Sequence, residues 1–119
     1  MSRALLIVDH GSRLVEAQRH LEWVAAQVRK RAEDLHVYIA HMELAEPSIP
    51  QAIAACVADG ATELIVHPMF LVPGRHLTED IPKLVESAAS QYPQLRFQIT
   101  APVGSAPGIA ELILATLPE

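Results

Sequence analysis

Short aliphatic runs alternate with helical patterns four times along this chain of 119 residues. The runs lie at residues 4–8, 37–40, 64–69 and 95–100, and the first three are rich in Val, Ile and Leu. Such runs are typical of strands that are buried on both faces. Strands that alternate with helices pair in parallel through right-handed crossovers. The sequence therefore predicts an α/β fold with a four-stranded parallel sheet and helices on both faces.

Apolar residues at helical spacing mark the predicted helices. The first helix is expected from about residue 14 to 32, and the last from about 107 to 117. Ser48 is placed to cap the second helix, and Gly60 is placed to end it. The third helix follows Thr78 as a predicted N-cap, with acidic residues in its first turn. The apolar faces of the first three helices are Leu21, Val24, Ala25 and Val28; Ile49, Ile53 and Val57; and Ile81, Leu84, Val85 and Ala88.

Composition and charge exclude several classes of protein. A formal net charge of −5 and the lack of a basic cluster argue against a nucleic-acid surface. No apolar run approaches the length of a membrane span, and the N-terminus lacks the apolar region of a usual signal peptide. The single cysteine, Cys56, excludes an internal disulfide, and its apolar surroundings are typical of a buried, inert thiol. We expect one domain over residues 1–119, located in the cytoplasm.

Three predicted loops fall on one edge of the sheet, at residues 9–13, 41–47 and 68–78. Ligands bind at the carboxyl ends of the strands in open α/β sheets, so polar residues there are candidates for function. Four of the six histidines lie in or beside these loops: His10, His41, His67 and His76. A neutral imidazole binds divalent transition metals and is a base near neutral pH. The carboxylates that are placed to orient an imidazole or accept a proton are Asp9, Glu43 and Glu46.

Each of these histidines also has a purely structural explanation. His10 precedes Gly11 and Ser12 and can cap the first helix or fill a turn, while His76 can be an ordinary surface residue. His41 and His67 can each be hydrogen-bonded at the end of a strand. The other two histidines are expected to be solvated bystanders: His20 and His36.

The remaining polar and glycine residues of the loops leave similar alternatives open. Arg13 and Arg75 are either solvated charges or a bidentate fork for a ligand carboxylate. Gly11 and Gly74 are expected to provide backbone freedom rather than a phosphate site, because no Gly-rich fingerprint surrounds them. The Cys and His spacings match no zinc motif, so an open, weakly held metal is favoured over a permanent structural one.

Three ordered segments resemble the motifs of the sirohydrochlorin chelatases. They are residues 9–13 (DHGSR), residues 43–49 (ELAEPSI), and residues 68–76 (PMFLVPGRH) with residues 79–82 (EDIP). The third segment is the most specific, and the order and spacing of all three make the set strong. The resemblance runs from the first strand to the last helix. It implies a chelatase-like, flavodoxin-like half-unit, similar to the short-form members that work as homodimers.

The resemblance also implies a reaction and a set of site residues. The reaction is insertion of a divalent metal into sirohydrochlorin in cobalamin or sirohaem-type tetrapyrrole biosynthesis, with Co²⁺ the first expectation and Fe²⁺ or Ni²⁺ the others. The metal is then a substrate, and no permanently bound cofactor is expected. The site residues that the resemblance implies are His10 and His76, which would be the metal ligands and proton acceptors. Loop placement alone adds Glu43 as a secondary acceptor, and the negative charge of the macrocycle adds Arg13 and Arg75, with Ser12, as the residues expected to bind it.

Two other functions are alternatives to metal insertion. One is a non-catalytic protein of the same fold that binds metal or tetrapyrrole and passes it to a partner. The other is a flavodoxin-like regulatory domain, which would need a phosphate loop or a phosphoacceptor constellation that the sequence does not contain. The sequence therefore favours the chelatase and keeps the carrier as the alternative.

Overall fold

The computed structural model describes residues 2–75 and 79–119, and its strands and helices alternate as the sequence predicts. The four strands form one parallel sheet in the order β2-β1-β3-β4. The elements in chain order are β1 (Ser2–Asp9), α1 (Val15–Arg31), β2 (His36–His41), α2 (Ile49–Ala58), β3 (Ala61–Pro68), α3 (Ile81–Ala89), β4 (Arg96–Ile99), a 3-10 turn (Val103–Ser105) and α4 (Ile109–Leu114). The predicted four-stranded parallel sheet is confirmed.

Helices cover both faces of the sheet, because side chains alternate along the central strand β1. Leu6 and Val8 belong to a cluster that contains buried side chains of α2 and α3. Ile7 points to the opposite face, where it packs with Leu21 and Ala25 of α1. The buried members of the two clusters are aliphatic except for Cys56, and the aromatic side chains that pack against them are only partly buried, which agrees with an aromatic content of only 4%. Burial of these side chains supplies the main driving force for folding.

Several boundaries differ from the sequence-based expectation. Strands β1 and β2 extend to polar ends, since backbone pairing continues as far as Asp9 opposite His41. Helix α4 is shorter than the predicted 107–117, and it buries none of its side chains. Helix α3 begins at Ile81 after Asp80, whose side chain makes no capping hydrogen bond. The predicted cap of this helix, Thr78, lies outside the described residues.

Helix α2 begins and ends as predicted. Ser48 and Gln51 form a capping box, in which the Ser48 hydroxyl accepts from the Gln51 backbone N–H and the Gln51 side chain accepts from that of Ser48. Gly60 follows the helix with a φ of +97°, a conformation that L side chains rarely adopt. The capping box fixes where the chain leaves the loop after β2, and Gly60 marks where it turns from α2 toward β3.

The loops that follow β1 and β2 touch through their backbones. The N–H of Met42 donates to the carbonyl of Asp9 at 2.9 Å, and that of Glu43 donates to the carbonyl of His10 at 3.1 Å. Gly11 has a φ of +101°, and a Cβ added there would lie 1.7 Å from the Glu43 backbone oxygen. Gly11 therefore needs its backbone freedom, as predicted. Gly74 does not, since its φ is outside the left-handed region and an added Cβ would meet no atom of the described residues within 4 Å.

Burial changes the pKa of Cys56 on helix α2 and of His67 on strand β3. Cys56 is buried, as predicted, and burial raises the pKa of its thiol to about 12. His67 is half-buried on β3, and burial lowers the pKa of its imidazole. Its Nδ1 lies 2.8 Å from Thr100 Oγ1, and that hydroxyl donates to the carbonyl of Ala101. The hydroxyl oxygen therefore accepts from Nδ1–H, which is the structural role at a strand end that the sequence left open.

None of the helices in the described part of the chain is both long and apolar enough to cross a bilayer.

The lowered pKa of His67 predicts a specific loss of stability in acid. Because the folded protein holds this imidazole neutral, the unfolded chain takes up the proton first as the pH falls through about 6.5. The free energy of unfolding should therefore fall from neutral pH toward about pH 5, and His67→Asn should reduce that fall. Urea denaturation at several pH values measures both. An identical pH dependence in the variant would show that His67 does not contribute.

The close contact at Gly11 predicts an unequal cost for two alanine substitutions. Alanine is strained by about 1–2 kcal/mol at either Gly11 or Gly60, because both have a positive φ. Only at Gly11 does the new Cβ also meet backbone, so Gly11→Ala should lower the free energy of unfolding more than Gly60→Ala. Urea denaturation of the two variants compares them. Equal losses would contradict the close approach of the two loops.

Candidate active site

The three predicted loops meet at the carboxyl edge of the sheet, because β2, β1 and β3 are neighbours. Residues 10–14 follow β1, residues 42–48 follow β2, and residues 69–75 follow β3. The pairing of Asp9 with His41, and of Val8 with Pro68, brings the three strand ends level. The structure thus places these loops side by side, as the sequence predicts.

His10 and Glu43 lie on adjacent backbones at this edge. The hydrogen bond from Glu43 N–H to the His10 carbonyl joins the two residues directly, and both side chains are exposed. The edge therefore presents an imidazole and a carboxylate, which together can bind a cation and accept protons. The structure brings together these two of the three predicted catalytic residues.

His76, the third predicted catalytic residue and the second predicted metal ligand, lies outside the described residues. Its neighbour Arg75 is described and is exposed. Within residues 2–75 and 79–119, no three His, Cys, Asp or Glu side chains group closely enough to hold a metal ion. Of the two predicted metal ligands, His10 is therefore the one that lies among the described residues.

Asp9 orients an imidazole, but that imidazole belongs to His41. Asp9 Oδ1 lies 2.7 Å from His41 Nδ1, and the His41 side chain is only 2% exposed. His41 is therefore hydrogen-bonded at its strand end, one of the two alternatives left open by the sequence. Glu46, the other candidate for orienting a histidine, instead accepts from the Gln51 side chain at the start of α2.

Ser12 shapes the start of the first helix. Its hydroxyl accepts from the backbone N–H of Leu14 at 3.0 Å, and its carbonyl accepts from the Gln18 side chain at 2.9 Å. The sequence left open that His10 caps the first helix. In the structure the Ser12 hydroxyl accepts the hydrogen bond from Leu14, the residue that precedes α1. Arg13 follows as an exposed cation, placed where a ligand carboxylate at the edge can meet it.

A cavity of about 420 Å³ opens beside Glu43, between the loop after β2 and helix α3. It is lined by Met42, Glu43, Asp80, Lys83 and Leu84. Lys83 was not among the sequence-based candidates, although it is the one basic residue of α3 and lies in the first turn after the third loop. That position is the signal that sequence reasoning could have used.

A second cavity, of about 860 Å³, is apolar and lies between α1, α4 and the start of the loop after β3. Trp23, Leu112 and Ile113 line it while remaining more than half exposed. His20 also lines it and stacks on Trp23, with ring centroids 5.8 Å apart. This cavity, which we call the α1–α4 groove, is formed largely by apolar side chains and does not include the predicted site residues.

Comparison with known proteins identifies the family. The family model CbiX matches residues 4–119. A chloroplastic sirohydrochlorin ferrochelatase of Arabidopsis thaliana is 45% identical over 100 residues, which cover 84% of this chain and 44% of that protein. A sirohydrochlorin cobaltochelatase of Methanocaldococcus jannaschii is 44% identical over 82 residues, which cover 69% of this chain and 57% of that protein.

A solved structure shows the same fold. The sirohydrochlorin chelatase SirB from Bacillus subtilis subspecies spizizenii, in complex with cobalt, superposes with a TM-score of 0.87 and 32% identity. The match covers 97% of this chain and 49% of the SirB chain. This chain thus spans about half the length of the curated relatives it matches. The match to the family model and the identity to these relatives place the chain in the CbiX family, the family of the sirohydrochlorin chelatases.

Proposed function

We propose that this protein inserts a divalent metal into sirohydrochlorin. One observation carries the proposal: the hydrogen bond from Glu43 N–H to the His10 carbonyl sets these two residues side by side at the carboxyl edge of the sheet. The cavity of about 420 Å³ between the loop after β2 and α3 opens beside Glu43. Membership of the CbiX family supports the choice of reaction. The metal is a substrate in this proposal and not a resident cofactor.

The residue types at the edge suit the steps of metallation. The incoming ion must lose water and be held over the macrocycle, and two pyrrole N–H protons must leave. In this proposal the neutral imidazoles of His10 and His76 bind the ion in place of water. They also accept protons, and the Glu43 carboxylate serves as a further acceptor.

The macrocycle itself must be bound by positive charge. Sirohydrochlorin carries many carboxylates, whereas the protein has a formal net charge of −5. Local cations must therefore meet them, and we assign this role to Arg13, Arg75 and the newly recognised Lys83, with Ser12 as a hydroxyl donor. Arg13, Arg75 and Lys83 are all exposed, which leaves them accessible to a ligand at the edge.

We propose Co²⁺ as the metal, with Fe²⁺ and Ni²⁺ as the other candidates. Imidazole accepts all three ions. The matched relatives include both ferrochelatases and cobaltochelatases, and the SirB structure contains cobalt. The pathway that receives the product, and the cytoplasmic location expected from the sequence, stay predictions.

We further propose that the working form is a homodimer. A cleft that encloses a tetrapyrrole is hard to build from one four-stranded sheet, and two copies related by a twofold axis provide it. The Arabidopsis relative and the SirB chain, of which the matches cover 44% and 49%, have room for two such units, which supports this proposal.

The test is a metallation assay with purified protein, sirohydrochlorin and Co²⁺, followed by absorption spectroscopy. The wild type should turn over well above the uncatalysed rate, and light scattering of the same sample should give the mass of two chains. His10→Ala and His76→Ala should each lower the rate by about a hundredfold or more, the scale of losing an acid–base group. Because His10 is exposed, His10→Ala should cost only about 0.5 kcal/mol of stability.

His20→Ala is the control, since His20 lies on helix α1 and is not one of the predicted site residues. It should metallate at the wild-type rate. Binding of the macrocycle or metal without turnover would favour the carrier function. Wild-type rates in folded His10→Ala and His76→Ala would refute the site assignment.

A further inference from the structure

We propose that Asp9 and His41 form a positioning pair that holds His10 and Glu43 in their catalytic arrangement. The inference rests on the proposed function for its chemical meaning. It assigns a role to His41, the one polar or charged residue that is buried among the described residues. His41 is a positioning residue, because a side chain that is 2% exposed is too buried to contact a macrocycle at the edge.

The hydrogen bond between the pair spans the last rung of the β1–β2 ladder. Asp9 and His41 are directly opposite in the strand register, and Oδ1 and Nδ1 are 2.7 Å apart. A carboxylate only accepts hydrogen bonds, so Nδ1–H of His41 donates to it. The bond compensates the cost of burying the imidazole and fixes the orientation of its ring.

Backbone contacts carry this restraint to the two functional residues. His10 follows Asp9 directly, and its carbonyl accepts from Glu43 N–H. His41 also donates its own N–H to the Pro47 carbonyl at 2.8 Å, so the same residue ties the far end of the loop that contains Glu43. The Asp9–His41 side-chain bond therefore joins the base of one loop to the base of the other, and the backbone bond from His41 to Pro47 closes that second loop.

The loop between these ends has a conformation that needs support. Leu44, immediately after Glu43, has a φ of +69°, in the left-handed region that is costly for a residue with a side chain. Such a conformation persists only where surrounding contacts enforce it. The restraint from His41 at both ends of the loop supplies such contacts.

Three variants separate positioning from general stability. His41→Leu removes the hydrogen bond to Asp9, and His41→Asn keeps a side-chain N–H near the position of Nδ1. His67→Leu is the matched control, since it also removes a hydrogen bond of a histidine Nδ1 at a strand end. The partner of His67 is Thr100, which follows β4. Each variant is compared with wild type by kcat, KM for sirohydrochlorin, urea denaturation and hydrogen exchange of the Met42 and Glu43 amides.

We expect His41→Leu to lower kcat by about ten- to a hundredfold, the usual effect of losing an outer partner of a site, with KM little changed. Exchange at the Met42 and Glu43 amides should accelerate, since their acceptors are the carbonyls of Asp9 and His10. His41→Asn should restore most of both properties, and His67→Leu should keep wild-type values. In a His10→Ala background, His41→Leu should cause a smaller further loss than in the wild type, because part of its effect acts through His10.

The proposal is overturned if folded His41→Leu has wild-type kcat, if His67→Leu loses as much as His41→Leu, or if His41→Asn rescues nothing. Failure of the proposed function gives a different result, in which the wild type itself does not metallate. In that case hydrogen exchange of the Met42 and Glu43 amides still tests whether His41 holds the loop in place. Faster exchange confined to His41→Leu supports it, and unchanged exchange refutes it.

Discussion

The candidate active site depends on backbone pairing that continues past the last residues of strands β1 and β2. Two backbone hydrogen bonds, from Met42 to Asp9 and from Glu43 to His10, extend the strand pairing into the loops. This continuation is sterically possible because residue 11 is glycine, whose missing Cβ leaves room for the Glu43 carbonyl. The backbones of His10 and Glu43, which are far apart in the sequence, are thereby held side by side. Preorganisation of this kind lets exposed loops carry chemistry.

Most of the fold was predictable because its signals are local. The aliphatic runs of the first three strands and the periodic apolar faces of the helices determine the parallel α/β architecture. The capping box at Ser48 and the left-handed Gly60 mark the ends of α2 from residue type alone. The placement of the three loops on one edge then follows from parallel pairing. The strand boundaries were less predictable, because β1 and β2 extend into polar residues through pairing with their neighbours.

The features that the sequence did not predict depend on which residues meet across the sheet. The Asp9–His41 bond requires the register of β1 against β2, which no local pattern reveals. Lys83 reaches the cavity of Glu43 only because α3 packs beside the loop after β2. The α1–α4 groove, likewise, arises where a short helix leaves its apolar side chains exposed. Sequence reasoning therefore found the loops that form the site, and the structure adds how two of them are tied together.

The central claim is that the carboxyl edge of the sheet receives the metal. X-ray diffraction from crystals soaked in Co²⁺, measured on both sides of the cobalt absorption edge, tests it most directly. Our account predicts an anomalous peak within coordination distance of the His10 imidazole, close to Glu43. A peak elsewhere, such as at His20 in the α1–α4 groove, with none at His10, would contradict it.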